Sequence, residues 1–266
     1  MSRIDQVFAK LKAAGKKAFI PFVTAGDPDL AFTAETIREL SKRGASLIEI
    51  GFPYSDPIAD GPVIQASYTR ALANKLTVAK IFDMTRGLAQ EIDTPLVGMV
   101  SYAIIFRHGP EKFVEEAKAA GFAGLIVPDL LVDESAAFVA ICKQADLSLI
   151  HLATPTTPTE RAVKIAQQSS GFVYFVSITG ITGERTELPK DLLEKVRNLR
   201  AKTTTPICIG FGISKPEHVK LLAPVADGLI VGSAIVRRMT DATTRPKADV
   251  LREIGDYAAE LIAAAE

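Results

Sequence analysis

The sequence predicts an α/β protein folded as a single (β/α)8 barrel, with an extra helix before the first strand. The first observation is the length of 266 residues, which is close to the ~250 residues typical of this architecture. The second is a set of eight short apolar runs, each followed by a helical pattern of apolar residues. The third is that most of these runs are unbroken stretches of Val, Ile and Leu, which is typical of parallel strands buried on both faces.

An open, doubly wound sheet is the alternative architecture for such βα units. It commonly carries a Gly-x-Gly-x-x-Gly turn after its first strand, and no such turn follows the first apolar run here. The sequence also has no low-complexity tract or long linker that would divide it. We therefore expect residues 1–266 to form one domain, a closed TIM barrel.

The extra helix is predicted over residues 2–14, because apolar residues recur at helical spacing from Ile4 to Leu11. The strands are the apolar runs themselves, mostly bounded by Gly, Pro or Asp, over residues 18–24, 47–51, 95–101, 124–128, 147–152, 172–176, 206–210 and 228–232. The remaining helices are predicted over residues 30–43, 62–73, 77–91, 109–120, 133–145, 159–168, 189–200, 215–222 and 248–264, with a short helix start at 232–236.

The charge balance argues against nucleic acid and membrane surfaces as partners. Lys plus Arg and Asp plus Glu number 31 each, so no net field attracts a polyanion. Cys142 and Cys208 lie in apolar patterns and are expected to be buried thiols, so neither a disulfide nor a metal site is expected. Residues 1–17 contain many charged side chains and no apolar core of a signal peptide. No run approaches the ~20 apolar residues of a membrane-spanning helix. We therefore expect a cytoplasmic protein.

Glu49 is a carboxylate inside an otherwise apolar predicted strand. It alternates with Ile48 and Ile50, so it points away from them, and it faces the barrel interior if they face the helices. Active sites of such barrels lie at the C-terminal ends of the strands. Burial there raises the pKa of a carboxyl group, which suits a general acid or base. The structural alternative is a Glu paired with a buried Arg or Lys.

Asp60 follows Glu49 by eleven residues, in a loop stiffened by Pro53, Pro57 and Pro62. Its structural alternative is a cap for the helix that starts near Pro62. Close to Glu49, however, Asp60 would complete a pair of carboxyl groups with separate catalytic roles. Asp56 lies in the same loop in a turn pattern and is interpreted as mainly structural.

Two glycine-containing segments, 210–214 and 232–236, predict a phosphate site. They follow the seventh and eighth strands, where barrels often bind phosphate, and the second begins a helix. Glycines let backbone N–H groups approach the anion, and Ser233 adds a hydroxyl group. Either segment alone could be an ordinary strand end.

Residues 179–186, after the sixth strand, contain two glycines and three threonines and are interpreted as a lid over the site. An ordinary solvated loop is the alternative. The histidines are weaker candidates: His108 lies in a turn, His151 in a strand, and His218 near an exposed-looking helix start. No Ser/His/Asp arrangement and no metal-ligand spacing is found in the sequence, so no bound metal is expected.

Segments 21–28, 48–62, 180–183 and 210–213 together resemble the tryptophan synthase alpha chain family, in order across nearly the whole chain. The resemblance implies a lyase of L-tryptophan biosynthesis that cleaves indole-3-glycerol phosphate to indole and D-glyceraldehyde 3-phosphate by a retro-aldol reaction. It implies no cofactor in this chain. It implies a β chain as partner, which uses pyridoxal phosphate, receives indole through an internal tunnel, and forms an α2β2 tetramer.

The resemblance also assigns residues. It makes Glu49 the acid and base for the proton transfers, Asp60 the acceptor of a hydrogen bond from the indole N–H, and Thr182 a residue that bonds Asp60 when the lid closes. The residues that match the family's phosphate site are Gly183, Phe211, Gly212, Gly232 and Ser233. Those that fall where the family lines its indole pocket are Phe22, Val100, Tyr102, Val127 and Tyr174.

Ile104 departs from the family pattern, because many relatives carry an Asn there, near the expected β chain contact. Two other functions are alternatives. Another phosphate-binding barrel, such as an isomerase or indole-3-glycerol-phosphate synthase, is expected to use a Lys or Cys near a strand end, and the second strand has neither. A barrel without catalysis, kept as a regulatory subunit, does not need both Glu49 and Asp60.

Overall fold

A computed structural model of the chain describes residues 1–57, 60–177, 192–210 and 212–265. These residues form nine strands: β1 (Ala18–Thr24), β2 (Ile48–Gly51), β3 (Leu96–Met99), β4 (Phe122–Ile126), β5 (Ser148–Ile150), β6 (Leu152–Ala153), β7 (Val173–Val176), β8 (Ile207–Gly210) and β9 (Gly228–Val231). They also form twelve helices: α1 (Arg3–Ala13), α2 (Leu30–Lys42), α3 (Pro62–Ala73), α4 (Val78–Leu88), α5 (Tyr102–His108), α6 (Pro110–Ala119), α7 (Ala136–Gln144), α8 (Thr159–Gln168), α9 (Leu192–Arg200), α10 (Pro216–Leu222), α11 (Ser233–Asp241) and α12 (Lys247–Ala264).

The strands form one parallel sheet in the order β5-β4-β3-β2-β1-β9-β8-β7-β6. Its two end strands, β5 and β6, are consecutive in the chain and are separated by His151 alone. The sheet is therefore a nearly closed ring, and the predicted barrel, with its extra N-terminal helix, is confirmed. The C-terminal ends of the strands are called the mouth below, and the opposite end is called the base.

The predicted fifth strand, 147–152, is divided into β5 and β6 because two serines from the loop before β7 occupy its hydrogen-bonding edge. The Oγ of Ser170 accepts a hydrogen bond from the N–H of Leu149 (2.8 Å), and the Oγ of Ser169 accepts one from the N–H of His151 (3.2 Å). These side chains stand where a neighbouring strand's carbonyl groups would otherwise accept. A strand pattern in the sequence does not reveal this substitution.

Alternating side chains divide the core into two layers, as expected for a closed barrel. Along β1, Ala18 and Ile20 belong to the cluster inside the barrel, whereas Phe19 and Val23 belong to the cluster between the sheet and the helices. These two groups are called the inner cluster and the outer cluster below. All seven residues of β1 are buried, as are those of most other strands, which explains the unbroken apolar runs in the sequence.

Helix α1 closes the base of the barrel. Ile4 is fully buried, and a Cβ atom added at Gly124 or Gly171 would lie only 2.9 or 2.8 Å from its side chain, so these glycines make room for it. Phe8 packs against Phe172 with 5.8 Å between ring centroids. The Oγ of Ser2 accepts a hydrogen bond from the Asp5 N–H, and the Asp5 carboxylate accepts one from the Ser2 N–H. These two bonds cap the helix.

Helix α5 fills a segment that the sequence pattern left without regular structure. Ser101 caps it, and the carboxylate of Asp129 accepts hydrogen bonds from the Ser101 hydroxyl (2.7 Å) and the Tyr102 N–H (2.8 Å). The helix thus depends on a residue that follows β4, which local periodicity cannot detect. Helix α11 is likewise longer than the predicted short helix start. Of the predicted helix 189–200, residues 189–191 lie outside the described residues.

Across the described ranges, no helix combines the length and the apolar character needed to cross a membrane. Both cysteines are buried free thiols.

We expect Ile4→Ala to lower the free energy of unfolding by about 3 kcal/mol, because it leaves a cavity at the closed base of the barrel. Urea denaturation followed by circular dichroism measures the change. Lys10→Ala, at an exposed position of the same helix, is the control and should leave the stability nearly unchanged. Equal stabilities of the Ile4→Ala variant and the parent would contradict the closing role of α1.

Candidate active site

Glu49 is buried inside the barrel. Its neighbours Ile48 and Ile50 belong to the outer cluster, so the Glu49 side chain points inward, as predicted. It is 1 % exposed, and within the described residues neither of its carboxyl oxygens has a hydrogen-bond partner. Burial, reinforced by the negative charge of Asp60, raises the pKa of Glu49 to about 8. The alternative of a structural ion pair therefore finds no support among the described residues.

Phe22 lies beside Glu49, because β1 and β2 pair with these two residues in register. Gly51, the next inward-facing position of β2, leaves the space that the Phe22 ring occupies. A Cβ atom there would lie 2.4 Å from Phe22 Cζ and 2.9 Å from Tyr68 Oη. Gly51 thus fixes an aromatic ring next to the buried carboxyl group.

Gly210 accommodates Tyr174 across the barrel in the same way. A Cβ atom at Gly210 would lie 2.3 Å from the Tyr174 hydroxyl oxygen. Burial, followed by the charge of Glu49, raises the pKa of Tyr174 well above its usual value, so the two side chains are electrostatic neighbours. Phe22 and Tyr174, both expected at the site, therefore lie close to Glu49.

Asp60 lies immediately before α3 but does not cap it. The N-cap of that helix is Gly61, with no side-chain capping hydrogen bond in the described structure. The Asp60 backbone is held in place, since its N–H donates to the Pro57 carbonyl (3.1 Å) and its carbonyl accepts from Gln65 Nε2 (2.7 Å). Burial raises the pKa of Asp60 to about 6.

The two carboxyl groups therefore carry one proton between them near neutral pH. Glu49, the more deeply buried, titrates near 8, and Asp60 titrates near 6. Between these values the proton resides on Glu49 and the negative charge on Asp60. The site thus combines a carboxylic acid with a carboxylate that acts on its pKa. The acid can supply a proton, and the carboxylate can stabilise a developing positive charge.

The predicted phosphate site is formed in part by the start of α11. Gly232 precedes this helix, Ser233 is its first residue, and its first turn has no acidic side chain. Both residues are half-buried, and the helix N-terminus presents backbone N–H groups to an anion. A Cβ atom at Gly232 would lie 3.7 Å from Phe22 Cβ, so this end of α11 adjoins the ring beside Glu49.

The loop after β8 is the second segment of the predicted phosphate site. Gly212 has a φ of +75°, a left-handed conformation that favours glycine. The Ser214 carbonyl accepts the Tyr257 hydroxyl (2.9 Å), and the Ser214 N–H donates to His218 Nδ1 (3.3 Å). His218 is buried, so its exposed-looking sequence context was misleading, and its ring instead holds this loop.

Three further residues that were predicted to line the indole pocket follow strands β3 and β4. Val100 and Val127 are buried within the outer cluster, and Tyr102 is half-buried with its ring 5.8 Å from that of Phe138. Their place in an indole pocket stays a prediction. Thr182, Gly183 and Phe211, together with the predicted lid at 179–186, lie outside the described residues.

Phe22, a predicted site residue, belongs to an apolar group at the mouth with Ile64, Tyr68 and Val236, which is called the mouth cluster below. The last three residues were not predicted from the sequence. Ile64 and Tyr68 lie one turn apart on α3, so helical spacing could have identified the face that covers the site. Burial and the charge of Asp60 raise the pKa of Tyr68 well above its usual value. In the part of the chain that the structure describes, no group of three or more His, Cys, Asp or Glu side chains could hold a metal ion.

Comparison with known sequences gives a consistent result. A family model described as "Tryptophan synthase alpha chain" matches residues 8–265. The tryptophan synthase alpha chain of Rhodopirellula baltica is 49% identical over 267 residues, which cover 97% of this chain and 96% of that protein. That of Caldanaerobacter subterraneus is 43% identical over 261 residues, covering 98% of each chain.

The fold is also similar to solved structures of the same family. The tryptophan synthase alpha chain from Legionella pneumophila superposes with a TM-score of 0.89 at 32% identity, over 100% of this chain and 97% of that chain. A chain of Mycobacterium tuberculosis tryptophan synthase gives a TM-score of 0.90 at 30% identity, over 99% of this chain and 98% of that chain.

We expect Asp60→Asn to lower the pKa of Glu49, because the negative charge that helps hold its proton is removed and burial alone remains. Titration of 13C-labelled glutamate carboxyl groups by NMR measures this value. Asp56→Asn, in the exposed part of the same loop, is the matched control and should leave the Glu49 titration unchanged. An unchanged Glu49 pKa in the Asp60→Asn variant would show that the two groups are not coupled.

Proposed function

Because this chain belongs to the tryptophan synthase alpha chain family, we propose that Glu49 and Asp60 carry out the reaction of that family. The reaction is the cleavage of indole-3-glycerol phosphate to indole and D-glyceraldehyde 3-phosphate, a lyase step of L-tryptophan biosynthesis. The observation that supports the two roles is the buried Glu49, which has no hydrogen-bond partner in the described part of the chain. Its pKa of about 8 keeps it protonated while Asp60 is ionised.

The reaction breaks the bond between indole C3 and the hydroxyl-bearing carbon of the glycerol chain. Glu49 donates its proton to indole C3, which gives an indoleninium cation with its positive charge on the ring nitrogen. The resulting Glu49 carboxylate accepts the proton of the neighbouring hydroxyl group, the C–C bond breaks as the aldehyde forms, and the bonding electrons return to the indole ring. Glu49 ends protonated, as it began, so one group serves as acid and then as base.

Asp60 has the opposite requirement, since it has to stay ionised. Its carboxylate accepts a hydrogen bond from the indole N–H and offsets the positive charge that develops on that nitrogen. Its pKa of about 6 leaves it charged at neutral pH. The same charge helps keep the proton on Glu49 before the reaction.

The rest of the proposed site holds the two ends of the substrate. Phe22 and Tyr174 flank the indole ring, with Val100, Tyr102 and Val127 as further lining residues. Gly212, Gly232 and Ser233 bind the phosphate group. The roles proposed for Thr182, Gly183 and Phe211 rest on the family resemblance alone.

Membership of the family implies a β chain partner. We propose an α2β2 tetramer in the cytoplasm, in which the β chain holds pyridoxal phosphate and the single-domain barrel of this chain uses no cofactor. The support for a contact surface is apolar exposure near the mouth, where Phe106 is 68 % and Leu131 54 % exposed. Ile104, on the same helix as Phe106, is half-buried and packs against the outer cluster.

The direct test is the release of indole from indole-3-glycerol phosphate by the purified chain, with and without a β chain. We expect Glu49→Gln to lower the turnover number at least about a thousandfold, because Gln can neither donate nor accept the required protons. Glu91→Gln, at an exposed glutamate paired with Arg38, is the control and should keep parental activity. Near-normal turnover by the Glu49→Gln variant would refute the acid and base role.

We expect Ser233→Asp to weaken inhibition by glycerol 3-phosphate at least about tenfold, because a carboxylate at the start of α11 repels the phosphate group. Ser233→Asn is the matched control, of similar size without the charge, and should retain most of the affinity. Inhibition constants measured for both variants test this placement. Equal inhibition of the Asp and Asn variants would place the phosphate elsewhere.

A further inference from the structure

Arg70 joins three segments of the barrel mouth. On α3, its guanidinium donates through Nε and Nη2 to the two carboxylate oxygens of Asp27, at 2.8 and 2.9 Å. Its Nη2 also donates to Thr240 Oγ1 at 2.7 Å. Asp27 follows β1, and Thr240 lies in the last turn of α11, so one side chain ties α3 to both.

The geometry of this contact restricts its orientation. Asp27 is fully buried, and the two parallel hydrogen bonds from Arg70 fix the plane of the guanidinium. Thr240 is held as well, because its hydroxyl donates to the Val236 carbonyl one turn earlier (3.1 Å). Arg70 is therefore a rigid link between α3 and α11.

Each of these helices carries one end of the proposed substrate site. Helix α3 begins two residues after Asp60, and Gln65 Nε2 in its first turn donates a hydrogen bond to the Asp60 carbonyl. Helix α11 begins at Ser233, about 10 Å from Thr240 at the rise of an α-helix. Val236 packs with Ile64 and Tyr68 in the mouth cluster, so an apolar contact and the Arg70 link join the same two helices.

We propose that Arg70 and Thr240 are positioning residues that set the distance between the indole end and the phosphate end of the active site. This inference rests on the proposed function, in which the substrate is held at Asp60 and at Ser233 while the bond between them breaks. With both ends fixed, the spacing of α3 and α11 decides whether indole C3 lies within reach of Glu49. A shift of about 1 Å at such a site lowers the rate strongly while leaving binding at either end intact.

Thr240→Val tests the link with the least disturbance, because it keeps the shape of the side chain and leaves the Arg70–Asp27 pair in place. It removes the hydroxyl that accepts from Arg70, together with the hydrogen bond from that hydroxyl to the Val236 carbonyl within α11. We expect its turnover number with indole-3-glycerol phosphate to fall about tenfold, the effect of losing one hydrogen bond from a charged donor. The dissociation constants of indole and of glycerol 3-phosphate, measured separately, should stay within about twofold of the parent values. A purely structural role would not give this pattern.

Thr243→Val is the matched control. It makes the same substitution three residues later, at an exposed threonine whose hydroxyl donates to the Thr240 carbonyl, and it should keep parental turnover. Arg70→Lys is a second test variant. Lysine keeps the charge opposite Asp27 but cannot bond both carboxylate oxygens and Thr240 in one plane, so it should lose turnover to a similar extent.

Parental turnover by Thr240→Val would overturn the positioning role. So would a loss of affinity for the two separate fragments as large as the loss of turnover, since the variant would then have damaged the subsites themselves. A similar loss in Thr243→Val would also overturn it. Absence of indole release by the parent chain, alone and with a β chain, would refute the proposed function, and this role with it.

Discussion

The cost of ionising a carboxyl group inside the barrel is the constraint on which the site depends. The pKa of Glu49 rises from 4.5 to about 8, which corresponds to a penalty on the order of 5 kcal/mol for the charged form. Below pH 4.5 the group is protonated in both the folded and the unfolded chain, so the penalty is absent. Between pH 4.5 and about 8 the folded chain retains a proton that the unfolded chain loses, so stability falls as the pH rises. This loss of stability occurs at the residue whose proton the proposed reaction requires.

Several features of the fold maintain that environment. Strand pairing sets Phe22 beside Glu49, and Gly51 and Gly210 leave room for aromatic rings on either side. Asp60 stays near enough to act on Glu49 but is less buried, so the two groups take different protonation states. The environments of two carboxyl groups, rather than their residue types, separate their pKa values. One group can then exchange a proton while the other stays ionised.

The sequence supports some of these conclusions and is silent on others, for physical reasons. Unbroken apolar runs report burial on both faces, so the barrel and the inward direction of Glu49 could be predicted. The division of the fifth strand at His151 could not, because it depends on serine side chains from another loop. Helix α5 depends on Asp129, and Arg70 depends on Asp27 and Thr240. Such contacts join distant segments, whereas periodicity records only local environments.

The contacts of helix α1 also bear on the order in which the chain can fold. Phe8 packs against Phe172, and Ile4 fits against Gly124 and Gly171. Helix α1 therefore makes these contacts only after the segment that contains Gly171 and Phe172 has been synthesised, and loop closure over such separations is slow. Until then its apolar face is exposed to water and to other nascent chains. This face of α1 is thus a surface on which chaperones can protect the chain during synthesis.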